Sequence, residues 1–215
     1  MAFRGWQDEA LRFFEGLEAD NSKEYWQANK AVYEREVRAP MEELLAELEP
    51  EWGDGKIFRP YRDVRFSADK SPYKTNIAAV LGEGGYVHLS ADGLGCGSGM
   101  YVMANDQLER FRSAVDDARS GGEIERIVAA AEQAGLEVTA HDTLKTAPKG
   151  YPKDHPRIDL LRRKGLITWK QWPPAAWLGT AKAKARIVEF LQASKPLGTW
   201  LAKHVGPSTL PERTR

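Results

Sequence analysis

The chain has 215 residues, a single cysteine and equal numbers of basic and acidic side chains, 31 of each. Its length and 42% apolar content suit one sizeable domain with an ordinary core and exclude a disordered chain. Cys96 alone excludes an intramolecular disulfide framework. No leader is read at the N-terminus and no apolar run approaches the roughly 18 residues of a spanning helix, so a cytoplasmic location without a membrane partner is expected.

Neutrality conceals a division along the chain. Residues 1–55 carry 6 basic and 14 acidic groups (net −8), 56–75 carry 6 and 2 (+4), 76–140 carry 4 and 10 (−6), and 141–215 carry 15 and 5 (+10). An acidic helical face paired with basic C-terminal segments is the simpler expectation, and a nucleic-acid surface is the sharper one.

Trp6, Ala10, Leu11, Phe14 and Leu17 recur at helical spacing and predict a first helix ending near Asp20. Asn21, with Glu24 three residues on, predicts the cap of a second helix that buries Trp26, Tyr33 and Val37, meets Pro40 and resumes through Met41, Leu44, Leu45 and Leu48. Residues 76–82 and 86–90 read as strands, and Asp92-Gly93 as a hairpin turn into 94–103, giving an antiparallel sheet. In that last strand Gly95, Gly97 and Gly99 leave one face as bare backbone, which a helix, another chain or a ligand could approach. Asn105 or Asp106 predicts the cap of a helix through Val115, and a further helix covers Ile124–Ala134, closed by Gly135. Pro148–Pro156 reads as a loop. Lys182–Ala193 reads as an amphipathic helix stopped by Pro196, with a short helix carrying Trp200 and Leu201 beyond it and fraying after Gly206.

The most informative segment is Lys56–Thr75, KIFRPYRDVRFSADKSPYKT, with six basic side chains, two aspartates and four aromatics. If Phe58–Phe66 is extended, Arg59, Tyr61, Asp63 and Arg65 share one face, and Phe58, Pro60, Arg62, Val64 and Phe66 the other. If it is helical after Pro60, Arg62 and Arg65 are neighbours. Either way guanidinium forks suited to carboxylate or phosphate come together, and their counter-charge is Asp63 and Asp69 or an exogenous anion. Ser67–Thr75 reads as a loop carrying Lys70 and Lys74.

This run, the preceding NSKEYWQANKAVYEREVRAP helix and the later LKTAPKGYPKDHPRIDLLRRKGL resemble the bacterial DUF2461 family, a domain of unknown function. The resemblance covers about Phe3 to about Thr168 and implies an α+β cytoplasmic domain without an assigned reaction. The matching positions are Arg59, Arg62, Asp63, Arg65, Phe66, Asp69, Lys70, Tyr73 and Lys74. Asn76 stands where many relatives resemble a histidine-containing YKTHIGA, so no catalytic histidine is implied at 76.

Other chemistries find little footing. The glycines of 95–99 lack the spacing and following helix of a dinucleotide fingerprint, and there is no Walker lysine or Gly-x-Ser-x-Gly elbow. No two of His88, His141, His155 and His204 have the i, i+4 spacing of a helical metal pair, so no metal and no cofactor are expected. Convergence of His88 and Cys96 across the hairpin, with His155, is the one alternative metal set. Cys96 reads as a buried thiol, and His88 and His155 as candidate acid–base groups, although His155 could simply be held by Asp154 or Asp159. Trp169, Trp172 and Trp177 lie among lysines, as base-stacking platforms or as core anchors.

The sequence therefore predicts a single α+β domain, a mainly antiparallel sheet packed with helices. Residues 1–55 are helical, 56–103 hold the motif and sheet, and 104–205 are mixed and basic. Its expected function is binding a small anion, phosphate or carboxylate, as a binder or enzyme, through Arg59, Arg62, Asp63, Arg65, Asp69, Lys70, Tyr73 and Lys74. The alternative is a non-catalytic module contacting nucleic acid or an acidic protein through the basic C-terminal region. A cleft where the motif side chains converge favours the first; a flat basic face with exposed tryptophans favours the second.

Overall fold

The acidic N-terminal part is helical, as its periodicity requires. In the computed structural model, which describes residues 2–65 and 67–211, α1 (Asp8–Ala19) buries Ala10, Leu11, Phe13, Phe14 and Leu17 on one stripe. Helix α2 (Lys23–Val32) is capped by Ser22, whose hydroxyl accepts from Tyr25 N–H, and not by Asn21 as the sequence suggests. A π-helical run, Tyr33–Arg38, follows and delivers the chain to α3 (Ala39–Trp52). Ala39 N–H reaches the Glu34 carbonyl five residues back, so the α ladder is interrupted just where Pro40 could not have joined it.

The sheet follows. Strands β1 (Gly55–Ile57), β2 (Asn76–Leu81), β3 (Gly85–Ser90) and β4 (Gly93–Met100) come first. Helices α4 (Asn105–Asp116) and α5 (Ala118–Gln133), strand β5 (Glu137–Thr139), the short α6 (Ile158–Leu161), strand β6 (Leu166–Trp172) and helix α7 (Lys182–His204) complete the order. The class is α+β, with a six-stranded antiparallel sheet of order β1-β2-β3-β4-β6-β5. The chain divides into two compact units, residues 1–96 with 171–189 and residues 97–170 with 190–215.

In the first unit α3 packs on β1 and β2 and α1 on β3. Ile77, Ala79, Leu81, Val87, Leu89, Leu94 and Cys96 are buried, as are Trp6, Phe14, Leu17, Met41, Leu44 and Leu48 from the helices. Each such large side chain contributes about 1.5–3 kcal/mol on leaving water. The β3–β4 turn is Ala91-Asp92, one residue earlier than the sequence suggests. Both turn residues keep negative φ and the positive φ, +101°, falls on Gly93, the pattern of a glycine bulge and not of a primed turn.

In the second unit, Asp117 caps α5 through Arg119 and Ser120 N–H, so the helix begins six residues before Ile124. Ala104 is the N-cap of α4, where Gln107 Oε1 accepts its N–H at 2.9 Å. Asp106, predicted as a possible cap, instead accepts from Thr209 N–H and Ser208 Oγ, each at 2.8 Å, tying down residues just past Gly206. Helix α7 runs through Pro196 without ending, against the expected stop. Strands β5 and β6 went unread in the sequence. Thr168 in β6 and Ser194 in α7 are buried and joined by a 2.8 Å hydroxyl bond.

Candidate functional site

The segment from Phe58 to Asn76 is a closed loop on a strand-like neck. Phe58 N–H donates to Ala78 O at 2.8 Å, continuing the β1–β2 pairing. Arg62 N–H donates to Pro72 O at 2.9 Å and Lys74 N–H to Pro60 O at 2.8 Å, around an antiparallel Tyr61–Tyr73 bridge. The neck is therefore extended, and a helix after Pro60 does not form. Its aromatics anchor it: Tyr73 stacks on Trp26 at 4.4 Å and 8°, and Tyr61 lies 5.5 Å from Tyr73. Asn21, freed from capping, bonds both the N–H and the C=O of Tyr73.

Within the loop the charges face one another. Arg65 forks onto Asp63, Nε to Oδ1 at 2.9 Å and Nη2 to Oδ2 at 2.7 Å, and holds that carboxyl down to about 2. Asp69 accepts from Ser71 Oγ at 2.6 Å and Ser71 N–H at 2.9 Å and pairs with Arg62 Nη1, which together hold it well below the usual carboxylate range. Lys70 Nζ donates to Val64 O at 3.0 Å. The Arg65 side chain is 73% exposed, so its pair contributes little to stability. Phe66, a matching position of the motif, lies outside the described residues.

Beside the neck lies an open cleft of about 480 Å³, lined among others by Phe58, Arg62, Lys74, Asn76, Ala78 and Tyr86. Lys74 Nζ sits 5.4 Å above the Phe58 ring. Burial, and then the neighbouring positive charge of Arg59, lower its pKa. Among the described residues neither Lys74 nor Arg59 is in an ion pair with a carboxylate. Arg62 spends only Nη1 on Asp69. The sequence-predicted residues thus separate into a loop network of Asp63, Arg65, Asp69 and Lys70, and a cleft group of Arg62, Tyr73 and Lys74 near Arg59. Phe58, Asn76, Ala78 and Tyr86 were missed as lining residues. Alternation along β2, with Ile77 and Ala79 buried inward, was the available signal for Asn76 and Ala78.

His88 is on the same β3 face as Tyr86, the rings 5.8 Å apart, and burial lowers its pKa by disfavouring the charged ring. Gly95 leaves the space it occupies: a Cβ there would lie 2.6 Å from His88 Cε1 and 2.6 Å from Gln171 Oε1. Since Gly95 faces His88, alternation turns Cys96 to the opposite, buried face, and the His88–Cys96 metal pair expected as an alternative does not form. Among the described residues no three His, Cys, Asp or Glu side chains are placed to hold a metal. Burial pushes the Cys96 thiol pKa up.

His155 is committed elsewhere. Its Nδ1 accepts Arg157 N–H at 3.0 Å, which leaves Nε2 to donate to Asp116 Oδ1, also at 3.0 Å. Its carboxylate partner is thus Asp116, neither Asp154 nor Asp159. Arg157 donates to the Val115 and Asp116 carbonyls at 2.6 and 2.9 Å, closing the end of α4, and Gly121 has no Cβ where that guanidinium passes. Arg162 and Arg163 likewise donate to the carbonyls of Leu144 and Val138. Lys184, at the start of α7, pairs with Glu47 of α3 at 2.5 Å. Trp177 is covered by the Arg186 guanidinium at 4.4 Å and edged by Trp172.

A family model described as "Conserved hypothetical protein (DUF2461)" matches residues 9–200. The match continues past Thr168, where the sequence resemblance stopped, and takes in β6 and most of α7. Neither a curated protein nor a solved structure matches the chain.

Proposed function

The chain belongs to the DUF2461 family, and we propose that it binds a small anion, phosphate or carboxylate, in the cleft at Lys74. One observation carries this reading: an ammonium without a carboxylate partner among the described residues lines a cleft whose other polar groups, Arg62 and Asn76, can also donate. A cation held partly out of water is stabilised by an anion far more than an exposed one is. The remaining N–H groups of Arg62 can join Lys74 on one anion while Nη1 stays on Asp69. The reading is of binding. His88 is the histidine nearest the lining residues by sequence and ring contact, and no acid–base role is assigned to it.

The alternative, nucleic acid on the basic C-terminal part, has less support, because Trp177 and the arginines at 157, 162 and 163 are already engaged within the chain.

Thermal melts in phosphate and in citrate test the proposal. A ligand that binds only the folded state raises stability by RT ln(1 + [L]/Kd), about 2.7 kcal/mol at a hundredfold excess over Kd. Either anion should raise the wild-type Tm, and Lys74→Met should abolish that rise while its Tm in neutral buffer stays close to wild type. An unchanged wild-type Tm in both anions would rule the proposal out.

A further inference from the structure

The apolar half of the cleft says more about the ligand than its charge does. Phe58 is 38% exposed, one of few large apolar side chains left so, and it faces the cleft together with Tyr86 and the small Ala78. A site for bare phosphate needs donors only and has no use for an aromatic lining. The charge and the rings are also close together. Lys74 Nζ is 5.4 Å from the Phe58 centroid, and a charge-assisted bond to that ammonium is about 2.8 Å long. An anion seated on Lys74 is therefore within reach of the Phe58 ring. A group that carries the anion can continue along the lining of Phe58, Ala78 and Tyr86, and a larger side chain than Ala78 would fill part of that space.

We infer that the ligand is an aryl anion, a planar ring directly bearing phosphate or carboxylate, with the ring held between Phe58 and Tyr86 and the charge on Lys74 and Arg62. The inference rests on the anion-binding reading and names the chemical class that this site selects. The cleft volume, about 480 Å³, holds one such ring with its headgroup and lies in the size range of small-molecule sites.

Calorimetric titration with phenyl phosphate, inorganic phosphate, benzoate and acetate separates the two levels. Phenyl phosphate should bind about tenfold or more tightly than inorganic phosphate, the scale of one good aromatic contact, and benzoate should exceed acetate by a similar factor. The stronger of the two aryl ligands identifies the headgroup. Phe58→Ala should erase the aryl preference, bringing phenyl phosphate level with inorganic phosphate and benzoate level with acetate, Phe58→Leu should keep less than half of the aryl gain, and Lys74→Met should weaken all four ligands. Phe58 is exposed enough for both of its variants to fold, which circular dichroism checks. Equal affinity for the aryl and the bare anions would overturn this inference and leave the anion site standing. No binding of any of the four would overturn both.

Discussion

Asn21 grips both backbone groups of Tyr73, its Oδ1 accepting the Tyr73 N–H at 3.0 Å and its Nδ2 donating to the Tyr73 carbonyl at 3.2 Å. One side chain thereby supplies what a neighbouring strand would supply, and it does so next to Lys74. Its position just before α2 fixes the neck of the motif loop to the helical part of the same unit. The Trp26–Tyr73 stack adds a second attachment one turn into that helix.

Asn21→Ala removes both bonds and leaves the half-buried N–H and C=O of Tyr73 without these partners. A loss of about 1–3 kcal/mol in urea unfolding is expected. Asn21→Asp keeps the acceptor and loses the donor, so it should fall between wild type and Asn21→Ala. Both variants should also weaken anion binding at Lys74.

The aspartates of the loop predict its acid response. Asp63 and Asp69 have folded-state pKa values below their unfolded values, so their contribution is present above about pH 4 and is lost as pH falls. For Asp63 the loss runs from about pH 4 down to about 2. Protection of the Arg65 and Ser71 amides, taken as exchange relative to the intrinsic rate at each pH, should fall over this interval, before the sheet core opens. Asp63→Asn should remove the Arg65 part of that acid dependence, and protection of Arg65 that stays constant between pH 4 and 2 would contradict the assignment.

Gly95→Ala tests the packing of His88. The added methyl would meet the imidazole ring and the Gln171 side chain; the second can swing away but the first is held on a strand. The ring should be displaced toward water, at a cost of about 1–3 kcal/mol. Because burial is what lowers the His88 pKa, its titration followed by NMR should move up toward the ordinary value. A destabilised variant with an unmoved histidine titration would show that the ring kept its place.

Arg157→Ala should cost about 2–4 kcal/mol, since a side chain only 13% exposed leaves the last carbonyls of α4 without their charged donor. Arg157→Lys should recover little of it, because an ammonium cannot fork across two carbonyls. Neither variant should alter the affinity of phosphate or citrate. A change in that affinity at constant stability would assign Arg157 a part in binding.

Much of the first unit could be read from the chain because its signals are local. The stripe of Ala10, Leu11, Phe14 and Leu17 and the alternation in 86–90 each name a face without reference to anything distant. Asn21 and Asp106 misled for a shared reason: both are residue types that cap helices, and both were recruited by backbone far along the chain, Tyr73 and Thr209. Strand β5 has only three residues, too few for alternation to show, β6 interrupts its apolar alternation with the buried Thr168, and Pro196 was read by its intrinsic preference, which helix packing overrode. The charged motif was conspicuous, yet its division into a loop network and a cleft group depends on which side chains turn into the loop and which line the cleft, a property of distance in space. Phe58, Asn76 and Tyr86 join the cleft for the same spatial reason.

Cys96 gives the molecule a built-in clock for its own opening. It is the sole thiol of the chain, it is 0% exposed, and burial keeps it in the unreactive protonated form. An alkylating reagent can reach it only when β4 parts from its surroundings, so the labelling rate counts excursions of the sheet centre. Mass spectrometry of a single adduct then ranks every variant above, without an introduced probe and in the presence or absence of ligand. Substitutions confined to the loop, such as Asp63→Asn, should leave that rate alone, whereas Gly95→Ala, on the neighbouring residue, should raise it.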